Sequence, residues 1–152
     1  MKRQVKMDDL MPIFREQLEN GKKVQFAPSG ISMRPMLEHK VDQAYLEKAT
    51  RDNVKKWDVV LFQGDNGAYI MHRVIKLDEE GFVTRGDNNY YNDKKQPYDA
   101  LIGRVYQFEH KGKMRNTDEI RYKMYVLVWM VSYLPRKIMV KVKNKISRMG
   151  IK

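Results

Sequence analysis

Three short blocks of the chain contain residue types that could together carry out acyl transfer. Ser32 lies in Gly-Ile-Ser-Met-Arg-Pro, His72 lies in Met-His-Arg-Val-Ile, and Asp87 and Asp93 lie in Gly-Asp-Asn-Asn-Tyr-Tyr-Asn-Asp. A serine hydroxyl becomes an effective nucleophile when an imidazole removes its proton and a carboxylate orients that imidazole. The order of the blocks therefore predicts a Ser32–His72 pair, with either Asp87 or Asp93 as the orienting acid.

Each block also has an ordinary structural interpretation. A serine between Gly30 and Pro35 is a common turn residue, and an aspartate after glycine often caps its own turn. Alternation along the predicted strand puts His72 on the same face as Ile70 and Val74. Burial there would keep the imidazole neutral, as a general base requires, but an ordinary core histidine would be buried in the same way. The prediction therefore depends on all the blocks occurring in one order.

The composition limits the class of site. The chain has 152 residues, three histidines and no cysteine, which suits one domain with an appendage, held together without disulfides. No thiol can serve as a nucleophile, and so few soft ligands argue against a structural zinc ion. We therefore expect a site that uses neither a metal nor another cofactor.

Changes in hydrophobic period divide the chain into segments. Residues 8–20 have apolar side chains at helical spacing and end at Asn-Gly, which predicts a short helix within an N-terminal segment, 1–21. A period of two then predicts a β domain over residues 22–110, so we expect a mainly β, α+β fold. The predicted strands are 23–27, 43–48, 58–63, 68–77, 81–85 and 101–109.

Residues 111–152 form the third segment, a basic helical tail. The sequence Asn-Thr-Asp-Glu is typical of a capping box, with Asn116 as N-cap and Glu119 three residues later. A helix is predicted from there to about Leu134, and Pro135 would end it or begin the next one. The second helix would carry an apolar face made of Ile138, Met139, Val142, Ile146 and Met149.

The positive charge of the chain is concentrated in this tail. The formal charge is +11, and residues 111–152 contribute +10 of it, from 12 Lys and Arg side chains and two acids. An anionic membrane surface, simple solvation or nucleic acid could each explain such a tail, with nucleic acid the least favoured. Aromatic residues in the tail favour a membrane interface. Alternatively, Tyr125, Leu127 and Trp129 would dock on the β domain as a helical lid.

The sequence also predicts a location. Residues 1–20 are charged throughout and lack the apolar core of a secretory signal. The longest apolar run, 124–134, is shorter than the stretch of about 20 residues that spans a bilayer. We therefore expect a peripheral protein at the cytoplasmic face of a membrane, where basic segments are retained, with a soluble cytoplasmic protein as the alternative.

Taken in order, the blocks resemble the type I signal peptidase superfamily, serine peptidases that also include the LexA-type self-cleaving repressors. The block around Ser32 resembles Gly-x-Ser-Met-x-Pro-x-Leu, and His72 stands at the position of the general base. The resemblance covers residues 27–106 and implies the antiparallel β fold of signal peptidases and LexA. The segments that carry it are 30–37, 57–62, 72–75, 86–89 and 102–105.

The residue at the base position indicates a branch of the superfamily. Most bacterial signal peptidases and the repressors have lysine there. His72 is instead similar to the archaeal and endoplasmic-reticulum type, which also carries Gly-Asp-Asn-Asn followed by a second aspartate. The resemblance implies Ser32 as nucleophile and His72 as base. It further implies Asp93 as the acid that orients the base, and Asp87 as an essential supporting residue.

The resemblance also implies how the oxyanion and the substrate would be held. Some members carry a serine two residues before the nucleophile, where this chain has Gly30. We therefore expect backbone N–H groups to form the oxyanion hole, with Ser29 as a substitute hydroxyl. Gly30 would let the substrate backbone approach closely, and Met33 would contact the substrate. Trp57 stands where the Gly-Asp-Val-Val strand of the family begins with glycine.

The expected function is that of a serine endopeptidase that cleaves a signal or leader peptide from a precursor peptide or protein. The alternative is a catalytically inactive binding module of the same fold, whose basic tail binds anionic lipid or nucleic acid. A repressor would need an N-terminal helix-turn-helix, for which the residues before the β domain are too few.

Overall fold

The computed structural model describes residues 6–150. These residues form one antiparallel sheet of seven strands, with a short helix before the sheet and two helices after it. The predicted mainly β, α+β fold is therefore confirmed. The first five residues of the predicted N-terminal segment and the last two of the predicted tail lie outside the described residues.

The elements follow the changes of period in the sequence. The predicted N-terminal helix and all six predicted strands are present, with ends shifted by a few residues at most. The elements are α1 (Met7–Glu19), β1 (Val24–Phe26), β2 (Gln43–Lys48), β3 (Val59–Gln63), β4 (Tyr69–Leu77), β5 (Phe82–Arg85), β6 (Leu101–His110), β7 (Lys113–Asn116), α2 (Ile120–Val131) and α3 (Tyr133–Arg148).

The strands lie in the order β1-β2-β6-β3-β4-β5, and every pair is antiparallel. The long strand β6 pairs with β2 along one edge, while β3 and β7 share its other edge. This order puts β4, which carries His72, next to β5, and it makes β1 an edge strand. The loop that carries Ser32 connects β1 to β2.

The predicted end of the β domain at residue 110 is wrong, because the sheet continues to Asn116. Lys111 and Gly112 have φ angles of 50° and 73°, and β7 returns from them to pair with β6. A two-residue hairpin with positive φ at both central positions matches the twist of antiparallel strands. The strand was missed because the short sequence Lys-Met-Arg-Asn shows no apolar alternation that would predict it.

The predicted capping box is also shifted. Glu119 Oε1 does accept a hydrogen bond from the Asn116 N–H, at 3.0 Å. Glu119 itself is the N-cap, however, and α2 begins only at Ile120. Thr117 instead donates from both its N–H and its hydroxyl to Tyr106 O on β6, so this turn belongs to the sheet edge. Pro135 lies in the first turn of α3, one of the two positions predicted for it.

The two faces of the sheet bury separate apolar clusters. One cluster joins the sheet to α1, α2 and the Ser32 loop, and the other lies beneath the turns on the opposite face. The first cluster includes Met11, Leu18, Met36, Leu37, Leu61, Val105, Phe108, Tyr122 and Val126. The second includes Val54, Val60, Phe62, Val74, Phe82 and Leu101. The helix α2 is therefore part of the folded domain.

A buried carboxylate fastens the Ser32 loop to the β6–β7 turn. Asp42 is 2% exposed, accepts hydrogen bonds from the Glu38 and Lys111 N–H groups, and lies 2.6 Å from His110 Nδ1. Burial alone would raise the pKa of Asp42, but these hydrogen bonds outweigh it and hold the pKa below its ordinary value. The charged form of Asp42 therefore stabilises the fold.

We expect Asp42→Asn to lower the free energy of unfolding by about 1–3 kcal/mol at pH 7. Because the pKa is lower in the folded state, this stabilisation is present above the unfolded-state pKa and is lost as the pH falls through the folded-state pKa. Urea unfolding at neutral and strongly acidic pH measures the effect, with the exposed Asp52→Asn as the control. An Asp42→Asn deficit that persisted unchanged in acid would contradict this role.

Candidate active site

Ser32 and His72 line the same cleft, which has a volume of about 230 Å³. The cleft lies between the β1–β2 loop and the start of β4. Ser29, Gly30 and Met33 also line it, so all the predicted oxyanion and substrate-contact residues are brought together here. Its remaining walls are apolar and include Phe26, Leu37, Leu61, Tyr69, Ile70 and Met71.

The imidazole of His72 is oriented by Asp93. His72 Nδ1 lies 2.5 Å from Asp93 Oδ2, and the two side chains are only 11% and 16% exposed. The same carboxylate oxygen accepts a hydrogen bond of 2.6 Å from Thr84 Oγ1. Because Nδ1 donates its proton to the carboxylate, Nε2 is the nitrogen left to accept a proton. The structure thus brings His72 and Asp93 together as the sequence predicts.

Asp93 is held in place by an extended segment that runs beside β5. The Asp93 N–H donates to Thr84 O at 2.8 Å, and Gln96 and Phe82 exchange two backbone hydrogen bonds of 2.9 Å. Gly81 permits this approach, because a Cβ there would lie 2.1 Å from Gln96 O. The backbone thus fixes the distance between Asp93 and the neighbouring strand that carries His72.

Asp87 supports the structure of the site, which is the second of the two roles that the sequence allows for it. Its carboxylate accepts two hydrogen bonds from Arg73, from Nε at 2.7 Å and from Nη2 at 2.6 Å, and both side chains are fully buried. It therefore does not orient His72, and that alternative is wrong. Asp87 instead joins its loop to β4 at Arg73, one residue beyond His72.

Arg73 is central to the site, but the sequence analysis did not predict any role for it. Besides Asp87, its guanidinium donates to Trp57 O, Tyr122 OH and Met36 Sδ, so every N–H has an acceptor. Burial alone would lower the pKa of Arg73, but the Asp87 charge outweighs it and raises the pKa above its usual value. A signal existed in the sequence, since strand alternation puts this arginine on an apolar face with Met71.

Four aromatic residues of the tail, at helical spacing, form hydrogen bonds with the Arg73–Asp87 pair and with the loop that contains Asp87. Tyr122 contacts Arg73 as above, and Tyr125 OH donates to Asp87 Oδ2 at 3.4 Å. Trp129 Nε1 and Tyr133 OH donate to the backbone oxygens of Asp87 and Tyr90, each at 3.0 Å.

Burial raises the pKa of both Tyr122 and Tyr125, which keeps their hydroxyl protons in place. The predicted docking of Tyr125 and Trp129 is thus correct. Leu127, by contrast, faces outward and is 49% exposed.

The Gly-Asp-Asn-Asn sequence positions Ser32 by bonding to the backbone of its loop. Asn88 donates its N–H to Ser32 O at 2.8 Å and its side-chain amide to Ile31 O at 3.2 Å. A Cβ at Gly86 would lie 2.7 Å from Ser32 O, so only glycine allows this close approach. The loop that carries Asp87 is therefore also the support of Ser32.

The loop around Ser32 also supplies free donors. Among residues 6–150, no acceptor is bonded to the N–H of Ser32 or Met33, which begin a turn. The Gly30 N–H, by contrast, donates to His39 Nδ1 at 2.6 Å, which leaves it unavailable to a substrate. This hydrogen bond from Gly30 to His39 fastens the two ends of the loop to each other. Gly30 has φ 97°, a conformation that glycine adopts readily.

Ser32 Oγ and His72 are not hydrogen-bonded to each other in the part of the chain that the structure describes. Bonds of this kind are commonly long without substrate and shorten when substrate binds. Within residues 6–150 no cluster of three or more His, Cys, Asp or Glu side chains could hold a metal ion. The arrangement can therefore supply a hydroxyl, a carboxylate-oriented imidazole and backbone N–H donors.

No family model matches the chain, and no curated protein matches it. Over the described residues, no helix has the length and apolar character needed to cross a membrane.

The different roles of the two aspartates predict different effects on stability. We expect Asp87→Asn to lower the free energy of unfolding by about 3–5 kcal/mol, because it leaves the buried Arg73 charge unpaired. Asp93→Asn should cost no more than about 1 kcal/mol, because it alters hydrogen bonds without leaving a buried charge. Urea unfolding measures both effects.

The double variant Arg73→Met/Asp87→Leu controls for lost packing, because it removes both charges and keeps apolar volume. It should recover most of the stability that Asp87→Asn loses. If Asp93→Asn proved as destabilising as Asp87→Asn, the assignment of structural and orienting roles would be wrong.

Proposed function

We propose that this protein is a serine endopeptidase that cleaves a signal or leader peptide from a precursor peptide or protein. The observation that carries the proposal is the His72–Asp93 pair, whose imidazole lines the same cleft as Ser32. The resemblance of the sequence blocks to the Ser/His branch of the type I signal peptidases supports the same chemistry. Among residues 6–150 no acceptor is bonded to the N–H groups of Ser32 and Met33, so both can donate to a developing oxyanion.

In the proposed reaction, His72 Nε2 accepts the Ser32 hydroxyl proton while Oγ attacks the carbonyl carbon of the scissile bond. The carbonyl π electrons move to the oxygen, and the Ser32 N–H with a second donor stabilises the negative charge. Met33 N–H and the Ser29 hydroxyl are the candidates for that second donor. The charged imidazolium is stabilised throughout by Asp93, which keeps Nδ1 as the donor.

The intermediate then collapses, and the C–N bond breaks as His72 gives its proton to the leaving amine. Water next attacks the acyl-enzyme, with His72 again removing a proton, and the carboxylate product leaves Ser32. Burial of His72 among apolar groups limits competition from bulk water at the base. The protein groups that take part in these steps are Ser32, His72, Asp93 and the oxyanion donors.

The shape of the cleft favours an extended substrate. A groove lined by Met7, Leu10, Phe14 and Phe26 adjoins the cleft, and no other strand of residues 6–150 pairs with the outer side of β1. An extended peptide can pair with such an edge while alternate side chains enter apolar pockets. The resemblance further implies small side chains next to the cleaved bond.

The proposed location is the cytoplasmic face of a membrane, as a peripheral protein. The basic tail favours that side, because positive segments are retained there. Cleavage sites of exported signal peptides lie across the membrane, so the leader peptide of a cytoplasmic precursor, such as a modified peptide, is the substrate that fits this location.

A peptide probe tests the proposed nucleophile. We expect the purified protein in mild detergent to be labelled by a peptidyl phosphonate that ends in alanine. Ser32→Ala should abolish labelling, and His72→Ala should slow it by about 10³-fold or more, because the two residues act as one unit. In-gel fluorescence measures the label, and the exposed Ser147→Ala serves as the control. Labelling that survived in Ser32→Ala would show a different nucleophile.

Asp93 should affect the rate and not the fold. We expect Asp93→Asn to slow labelling by about 10³–10⁴-fold, because an amide favours the wrong tautomer of His72. Circular dichroism should remain that of the unmodified protein. If neither the protein nor its variants reacted while the protein remained folded, the inactive binding module would replace the peptidase as the best account.

A further inference from the structure

The helix α2 has two apolar faces, and only one of them is covered. Its inner face holds Tyr122 and Val126, which are buried against the sheet. The opposite face is also apolar, although it is between 49% and 71% exposed. The side chains of this outer face are Ile120, Met124, Leu127, Val128 and Val131. A contiguous apolar face of this size on a protein surface normally marks a site that binds protein or membrane.

The helix α3 continues this exposed surface. None of its residues is buried, and its apolar side chains recur at spacings of three and four, which aligns them on one side. These exposed side chains are Leu134, Ile138, Met139, Val142 and Ile146. We call the outer face of α2 together with this stripe the tail surface.

The charged residues within α2 and α3 all have one sign. Residues 120–148 contain eight Lys and Arg side chains and no Asp or Glu. On α2, Arg121 and Lys123 lie on opposite sides of the apolar face, and on α3, Lys141 and Lys143 likewise lie on either side of the stripe. Such residues can extend their charged ends past the edge of a buried apolar strip.

We propose that the tail surface binds an anionic lipid bilayer, with both helices in the interface and neither crossing it. An interface of this kind takes up an apolar strip and pairs its basic flanks with lipid phosphates. A second copy of this chain fits less well, because two strongly positive surfaces would face each other. Nucleic acid would satisfy the charges but would leave ten apolar side chains exposed to water.

The inner face of α2 contacts the candidate active site, so α2 can bind lipid through its outer face without disturbing that site. Trp129 and Tyr125 hold the Asp87 loop, while the outer face is available to lipid. Arg136 lies 3.5 Å from the Trp129 ring centroid and donates to Trp129 O, so the start of α3 is fixed to α2. The tail surface is therefore presented by a helix fixed to the domain. The inference holds whether or not the cleft is catalytic.

The test is co-sedimentation of the full chain with vesicles of phosphatidylglycerol and phosphatidylcholine, compared with phosphatidylcholine alone. We expect binding only to the anionic vesicles. Removing three tail charges should weaken it by about 100-fold, since each basic residue near such a surface contributes about a fivefold effect. That variant is Lys141→Gln/Lys143→Gln/Lys145→Gln, and its control of equal charge loss is Lys22→Gln/Lys55→Gln/Lys56→Gln, all at exposed positions.

The apolar stripe has its own variant. Ile138→Ser/Val142→Ser/Ile146→Ser alters only exposed side chains, so it should leave folding unchanged and weaken vesicle binding by about tenfold or more. The exposed Ile13→Ser on α1 is its control. Equal binding to neutral vesicles, or equal loss in the control variants, would overturn the proposal.

Two further experiments test the other possible occupants of the tail surface, a second copy of the chain and nucleic acid. They are sedimentation velocity without lipid and competition between the vesicles and a DNA duplex. A dimer that the serine variant dissociates would make the tail surface a contact between copies. DNA that displaces the vesicles at equal concentration would make it a nucleic-acid surface. Either result would overturn the lipid proposal. A protein that is monomeric without lipid, and that stays bound to the vesicles when DNA is added, would support it.

Discussion

The buried ion pair between Arg73 and Asp87 is the interaction on which the rest of the structure depends. Two charges removed from water are tolerated only when every donor and acceptor has a partner. The partners of Arg73 come from the β2–β3 connection, the Ser32 loop, the Asp87 loop and α2. Satisfying one guanidinium therefore requires four separate parts of the chain to assemble around β4.

This requirement explains several local features that are otherwise unfavourable. Trp57 adopts φ 76°, a conformation that favours glycine, and its carbonyl oxygen is one of the Arg73 acceptors. Gly86 must lack a side chain so that the Asp87 loop can reach Ser32 O. The same loop thus holds both residues of the proposed catalytic pair. Asn88 supports Ser32, and Asp93, a few residues later, orients His72.

Local patterns in the sequence predict the fold well, and the site less completely. Strand periodicity gives six of the strands, and the spacing of the blocks brings Ser32, His72 and Asp93 to one place. It does not predict β7, whose four residues have no apolar alternation. It also leaves open which aspartate orients the base, because that depends on whether Asp87 has another partner. Arg73 supplies that partner, but a buried pair 14 residues apart in sequence is a tertiary feature.

The most direct test of the central claim is to locate the residue that a small-residue peptidyl phosphonate modifies. Ser29 and Ser32 both line the cleft, so labelling alone does not distinguish them. Tandem mass spectrometry of the peptide that contains both serines does. We expect a single adduct on Ser32, whose formation slows by about 10³-fold or more when His72 or Asp93 is substituted. An adduct on Ser29, or one on Ser32 that forms equally well without His72, would contradict it.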